Sequence, residues 1–199
     1  MSAPAVTERA LVLRITASGE AFHKIDILTA ESGTFVCLKR LSKNRSQSTE
    51  PDLFDTADIQ LESSKQGTTR FVKDYQLVHR HSAIGQSYRK LQHASDFCAL
   101  IAQNGPHMAD PAALYHITER SLEAFAERAL PAIVFLKAIY ILLKDEGYPV
   151  REKWWPELPA NLRESAKQLI NPPTPDSAAP EQLEACAQIS RNLCHWLRR

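Results

Sequence analysis

Apolar positions along the first eighty residues recur every second residue, and those along the rest recur every three or four. Arg9–Thr16 alternates with Leu11, Leu13 and Ile15 on one face, which predicts a strand. Lys24–Thr29 and Thr34–Lys39 are two more short β-type runs. Glu31-Ser-Gly33 between them predicts a tight hairpin, its glycine free to take positive φ. Ala57–Glu62 alternates cleanly, and Thr68–Val78 follows after the turn-forming Ser63–Gly67. The segment from Ser42 to Asp52, SKNRSQSTEPD, is wholly polar and reads as a loop. Five short strands must close or pack to hide their edges. A five-stranded Greek-key barrel of the oligonucleotide-binding (OB) type has this size and strand count, as does an SH3-like barrel.

From Ser82 the period becomes helical. Ile84, Tyr88, Leu91, Ser95, Cys98 and Ile101 share one face, and Gly105-Pro106 ends that helix. Asp110 followed by Pro111 is an N-cap with proline at the first helical position. Ile133 to Leu143 is apolar almost all round, which predicts the central helix of a bundle, stopped by Gly147 and Pro149. Asn161–Ile170 and Pro180–Leu197 predict two more helices joined by a proline-rich link. The reading is therefore α+β: residues 1–80 an OB-type barrel domain, residues 81–199 a C-terminal helical bundle domain.

Composition narrows the function classes. The apolar run from Ala132 to Leu143 is too short to span a bilayer, and no basic, then apolar, leader opens the chain, so a cytoplasmic protein without membrane contact is expected. The four cysteines are scattered with no CxxC pair, which fits a reducing compartment and implies neither disulfides nor zinc. Six glycines in 199 residues, and no GxSxG, HExxH, phosphate loop or dinucleotide fingerprint, argue for a non-enzyme without cofactor. His79 and His81 share a spacing seen in metal ligands but lack a third partner, so no metal is expected.

Net charge is only +1, so any case for nucleic acid rests on local clustering. Lys39, Arg40, Lys43 and Arg45 fall within seven residues, and no acid occurs between Glu31 and Glu50. Where a strand leaves the barrel for a loop, these side chains could reach successive phosphates of a single strand. Arg14, Arg70 and Lys73 lie on strands and extend the candidate set. Phe22, Phe35, Phe71 and Tyr75 are candidate stacking aromatics; Phe71 and Tyr75, four apart, are expected on one face, inside or out. The neighbouring Trp154 and Trp155 cannot both face one core, which leaves one for a partner. Lys137 within the apolar helix either reaches to the bundle surface or lines a groove for an acidic peptide.

These features together resemble the RecO family of bacterial recombination mediators. Thr7–Arg14 looks like that family's opening strand, Gly19-Glu20 like the turn before the second, and Leu28–Gly33 like the next hairpin. Lys39-Arg40 through Arg45-Ser46 is similar to its basic "KGARR…KS" segment, without the glycine. Leu53-Phe54 and the Ala57–Glu62 strand resemble its "L-x-P-F" stretch and following strand, and Leu136–Pro149 its helix ending in an "LGY-x-P" turn. The resemblance implies an OB barrel and a helical domain that bind single- and double-stranded DNA and anneal complementary strands. It implies as partners single-strand-binding protein and RecR, and through them assistance to RecA loading, with no hydrolysis and no cofactor. The other expectation is a protein-interaction adaptor on the same scaffold with little DNA affinity.

Overall fold

The computed structural model describes residues 6–41, 49–64, 66–67 and 69–197. Five strands, β1 (Val6–Ser18), β2 (Phe22–Thr29), β3 (Gly33–Arg40), β4 (Thr56–Ser63) and β5 (Arg70–His79), close into a barrel in the order β1-β2-β3-β5-β4. All pairings are antiparallel except β3 with β5, which run parallel over Cys37–Lys39 and Arg70–Val72. This Greek-key closure is compatible with the OB fold. A helical region follows, with seven α-helices among the described residues, so the α+β architecture expected from the pattern is the one observed.

The barrel interior is filled by Ala10, Val12, Ile25, Ile27, Cys37, Ala57, Ile59, Leu61, Val72 and Tyr75. Two bulges decide which residues reach it. On β1 the register slips between Val12 and Arg14, leaving Leu13 as the extra residue. Ala10 and Val12 therefore point inward and Ile15 packs against them after the slip, whereas Leu11 and Leu13 are buried outside the interior cluster. That corrects the expectation of one face shared by Leu11, Leu13 and Ile15. On β5, Asp74 pairs with Gln60 and Val72 with Leu61, so Lys73 is the extra residue. Val72 and Tyr75 both enter the core, three apart, and Phe71 is left off it. Phe71 and Tyr75 do not share a face, because strict alternation fails across a bulge.

A buried carboxylate ties the segment before β4 to the end of β5. Asp55 is fully buried and accepts hydrogen bonds from Tyr75 Oη at 2.7 Å, Arg80 Nε at 2.8 Å and Nη2 at 2.7 Å, and the Asp52 amide at 2.9 Å. Burial, then the bond to Asp55, pushes the Tyr75 hydroxyl up, and the same carboxylate raises the Arg80 guanidinium. Every donor around Asp55 is thus locked in its protonated form.

Contacts divide the chain into two compact units. The first joins residues 1–82 to 98–119, the second 83–97 to 120–199. Within the first, the 3₁₀ turn Gly105–His107 packs against β3, where Thr34 leaves no space for a Cβ at Gly105. The helices are α1 (Ser82–Gly85), α2 (Tyr88–Asn104), α3 (Pro111–Glu127), α4 (Pro131–Asp145), α5 (Trp155–Glu157), α6 (Ala160–Ile170) and α7 (Pro180–Leu197). The expected single helix from Ile84 to Ile101 is broken at Gln86–Ser87, and Tyr88, predicted on its buried face, stands 78% exposed. Asp110 caps α3 as predicted, its Oδ1 accepting the Ala113 amide at 3.0 Å. In the second unit α4, α6 and α7 pack on one another, and α4 is buried over most of its circumference. Gly147, at φ +78°, ends α4 with the Tyr148 amide bonded back to the Leu143 carbonyl at 2.9 Å. Among the described residues no helix is long and apolar enough to cross a membrane.

Candidate nucleic-acid interface

A cationic cleft of about 310 Å³ opens on the barrel, lined by Phe22, Leu38, Lys39, Arg40, Phe71, Val72 and Lys73. Its walls follow from the strand register. Phe22 opens β2 and pairs with Arg40 at the end of β3, while Leu38 pairs with Phe71 across the parallel seam. Pairing of both strands with β3 brings the two phenylalanines together, ring centroids 6.1 Å apart and tilted by 56°. Both rings are only partly buried. An aromatic pair bordered by cations has the two components of strand binding, stacking surface for bases and positive charge for phosphates.

The candidate cations fare differently. Lys39, Arg40 and Lys73 meet at this cleft. Lys39 and Arg40 make no ion pair among the described residues, whereas Lys73 Nζ lies 2.5 Å from Glu62. Arg70 is adjacent in sequence but lies with its guanidinium 4.0 Å over the Phe35 ring, a cation–π contact at the edge of the barrel core. Arg14 is on β1, 2.5 Å from Asp26, a carboxylate that is itself buried. Neither Arg14 nor Arg70 lines the cleft. Lys43 and Arg45 lie outside the described residues.

Phe22 and Phe71 were only weakly marked in the sequence. They stood there only as two of four barrel aromatics, with nothing in the spacing to say which would leave the core. Of the other aromatics, Tyr75 is a core residue bonded to Asp55, and Phe35 packs on the core beneath Arg70.

His79 and His81 touch edge to face, centroids 4.4 Å apart, and no three His, Cys, Asp or Glu side chains converge to hold a metal among the described residues. Burial pushes the Cys37 thiol up to about 12, with Asp26 adding to the effect, so it is inert as a nucleophile. Lys137 donates to the Pro172 carbonyl, the reach to the bundle surface that its apolar surroundings require.

What the barrel defines is a five-stranded, closed, cleft-bearing scaffold in which Lys39 and Arg40, unpaired among the described residues, stand beside an aromatic pair. No family model and no curated protein matches the chain.

Proposed function

We propose that this chain binds single-stranded nucleic acid through the cleft between β2, β3 and β5, and that it acts as a RecO-type mediator of DNA repair. In this reading Lys39 and Arg40 hold phosphates while Phe22 and Phe71 receive a base. Lys43 and Arg45 continue the phosphate track, and Lys73 joins it by releasing Glu62. Arg14 and Arg70 are lesser contributors, each already engaged within the barrel. The observation that carries the proposal is the pair Lys39 and Arg40, without an ion-pair partner among the described residues, beside the partly exposed Phe22–Phe71 pair. The family-level part, annealing complementary DNA and assisting RecA loading on strands coated by single-strand-binding protein with RecR, rests on the ordered sequence resemblance and the barrel's OB-compatible strand order.

Fluorescence anisotropy of a labelled single-stranded oligonucleotide, titrated at several salt concentrations, tests the binding. Lys39→Glu with Arg40→Glu removes two phosphate contacts, so the slope of log K against log salt becomes shallower by about 1.4 and affinity falls more than tenfold. Acceleration of annealing between complementary strands by the wild-type chain, lost in the same variant, tests the mediator role.

A second reading follows from the ion pairs on Arg14 and Lys73. Carboxylates neutralise part of the barrel's positive face, as expected of an adaptor that binds proteins and has little DNA affinity. Wild-type chain that shows no anisotropy change even at low salt would establish that reading over the first.

A further inference from the structure

The second unit carries a cleft that the barrel does not share, and its origin is a local irregularity of the helix. After α4, residues Val150–Trp154 form a π-helical turn in which the Trp155 amide donates to the Val150 carbonyl, five residues back. The widened turn shifts the helical phase by one residue at the point where two tryptophans adjoin. Trp154 turns inward, 0% exposed, with its indole N–H donating to Asn192 Oδ1 at 2.8 Å. Trp155 turns outward and stays partly exposed. Its ring is fixed by near-perpendicular contacts with Trp154, centroids 5.7 Å apart, and with Tyr140, 6.4 Å apart.

Around Trp155 the surface opens into a cleft of about 380 Å³ lined by Tyr140, Arg151, Trp155, Lys167 and Asn171. Among the described residues no carboxylate lines it. Arg151 has no ion-pair partner among the described residues, and neither the Trp155 indole N–H nor the Asn171 side chain has a hydrogen-bond partner there. Lys167 is only 3.6 Å from Glu164, a loose exposed pair of little energetic weight. The cleft thus offers a rigid aromatic plane, two cations and an uncommitted amide that can bond to base edges.

We propose that this cleft is a second binding site for single-stranded nucleic acid, with a base stacked on Trp155 and the flanking phosphates on Arg151 and Lys167. A stacking plane with a donor-and-acceptor amide matches an unstacked base, and two cations without a carboxylate match a polyanion. The site rests on the reading that this chain binds strands, and it adds to that reading a second point of attachment on a different unit.

The test uses the full-length chain and a labelled oligothymidylate in anisotropy titrations. Lys39→Glu with Arg40→Glu, which disables the barrel cleft, leaves measurable strand binding. Adding Arg151→Glu and Lys167→Glu, both exposed positions, abolishes it. In the barrel-disabled background Trp155→Leu weakens binding roughly tenfold, the loss of one stacked base. Far-ultraviolet circular dichroism melts confirm that each variant remains folded. Two results overturn the second site while sparing the first: the barrel variant alone abolishes all binding, or the Arg151 and Lys167 reversal leaves affinity and salt slope as in wild type. An acidic peptide that binds at Arg151 and Lys167 while strand binding is indifferent to these residues overturns it as well. Failure of the wild-type chain to bind any strand at low salt removes both sites, and is recognised by the absence of any titration to compare.

Discussion

Single residues in the barrel show how burial fixes protonation, and through it stability. His81 is 5% exposed, and its Nε2 has no hydrogen-bond partner among the described residues. Burial holds its imidazole down at about 4, against an ordinary 6.5; a charge on His79 works the same way and Asp55 works against both. The folded chain therefore keeps His81 neutral while the unfolded chain protonates it near pH 6.5. Between pH 6.5 and 4 the unfolded state binds the extra proton, so the contribution is fully present above 6.5 and is lost as pH falls toward 4. Its full size is at most about 3 kcal/mol. Urea denaturation of wild type and His81→Gln at pH 7.5 and 4.5 checks this, because carboxylate titrations common to both chains cancel in the comparison. The wild type should lose more stability than the variant across that window. Asp55 presents the opposite case, a buried charge with all its neighbours donating. Asp55→Ala leaves the Arg80 guanidinium and the Tyr75 hydroxyl without their acceptor, and should cost about 3 kcal/mol in the same measurement.

At the scale of elements, close packing between β3 and the Gly105–His107 turn makes a sharper demand. A Cβ on Gly105 would sit 2.5 Å from Thr34 Cγ2 and 2.8 Å from Oγ1, so Gly105→Ala should destabilise by about 1–3 kcal/mol. Thr34→Ala removes both opposing atoms, and the double variant should recover most of the loss in thermal melting, a coupling that unrelated sites would not show. The strands themselves were legible in the sequence because alternation and turn glycines mark where strands begin and end. Which face each strand buries was not legible where a bulge intervenes. Leu13 and Lys73 look like ordinary strand positions, yet each is the extra residue that reverses the alternation beyond it. The same limit governed the candidate site. The basic run at Lys39 and Arg40 stood out by composition, but the pairing of Phe22 with Phe71 depends on a parallel seam between β3 and β5, and parallel neighbours distant in sequence leave no local trace. For Trp154 and Trp155 the reasoning that one must turn outward held, and the π-helical turn that accomplishes it has no signature in residue spacing.

At the scale of the whole molecule, a net charge of +1 gives little long-range attraction for a polyanion. The strand binding proposed above must therefore come from short-range sites where cations are not cancelled. The two clefts carry such cations beside an aromatic plane: Lys39 and Arg40 on the first unit, with Lys73 paired to Glu62, and Arg151 on the second, with Lys167 only loosely paired to Glu164. In the proposed reading annealing would need two strands held at once, which two separate sites on one chain would provide without a second copy. The consequence is a stoichiometry. Oligothymidylates of about six nucleotides, near the shorter end of what one barrel site accommodates, should bind two per chain in isothermal titration calorimetry. Arg151→Glu with Lys167→Glu should reduce the number to one. The salt dependence should follow. About four phosphates held by Lys39, Arg40, Lys43 and Arg45 give a slope near −3, and two more at the second cleft bring the sum over both sites to about −4. A single oligonucleotide per wild-type chain, with a total slope near −3, would confine strand binding to the barrel and require annealing to proceed between two protein molecules.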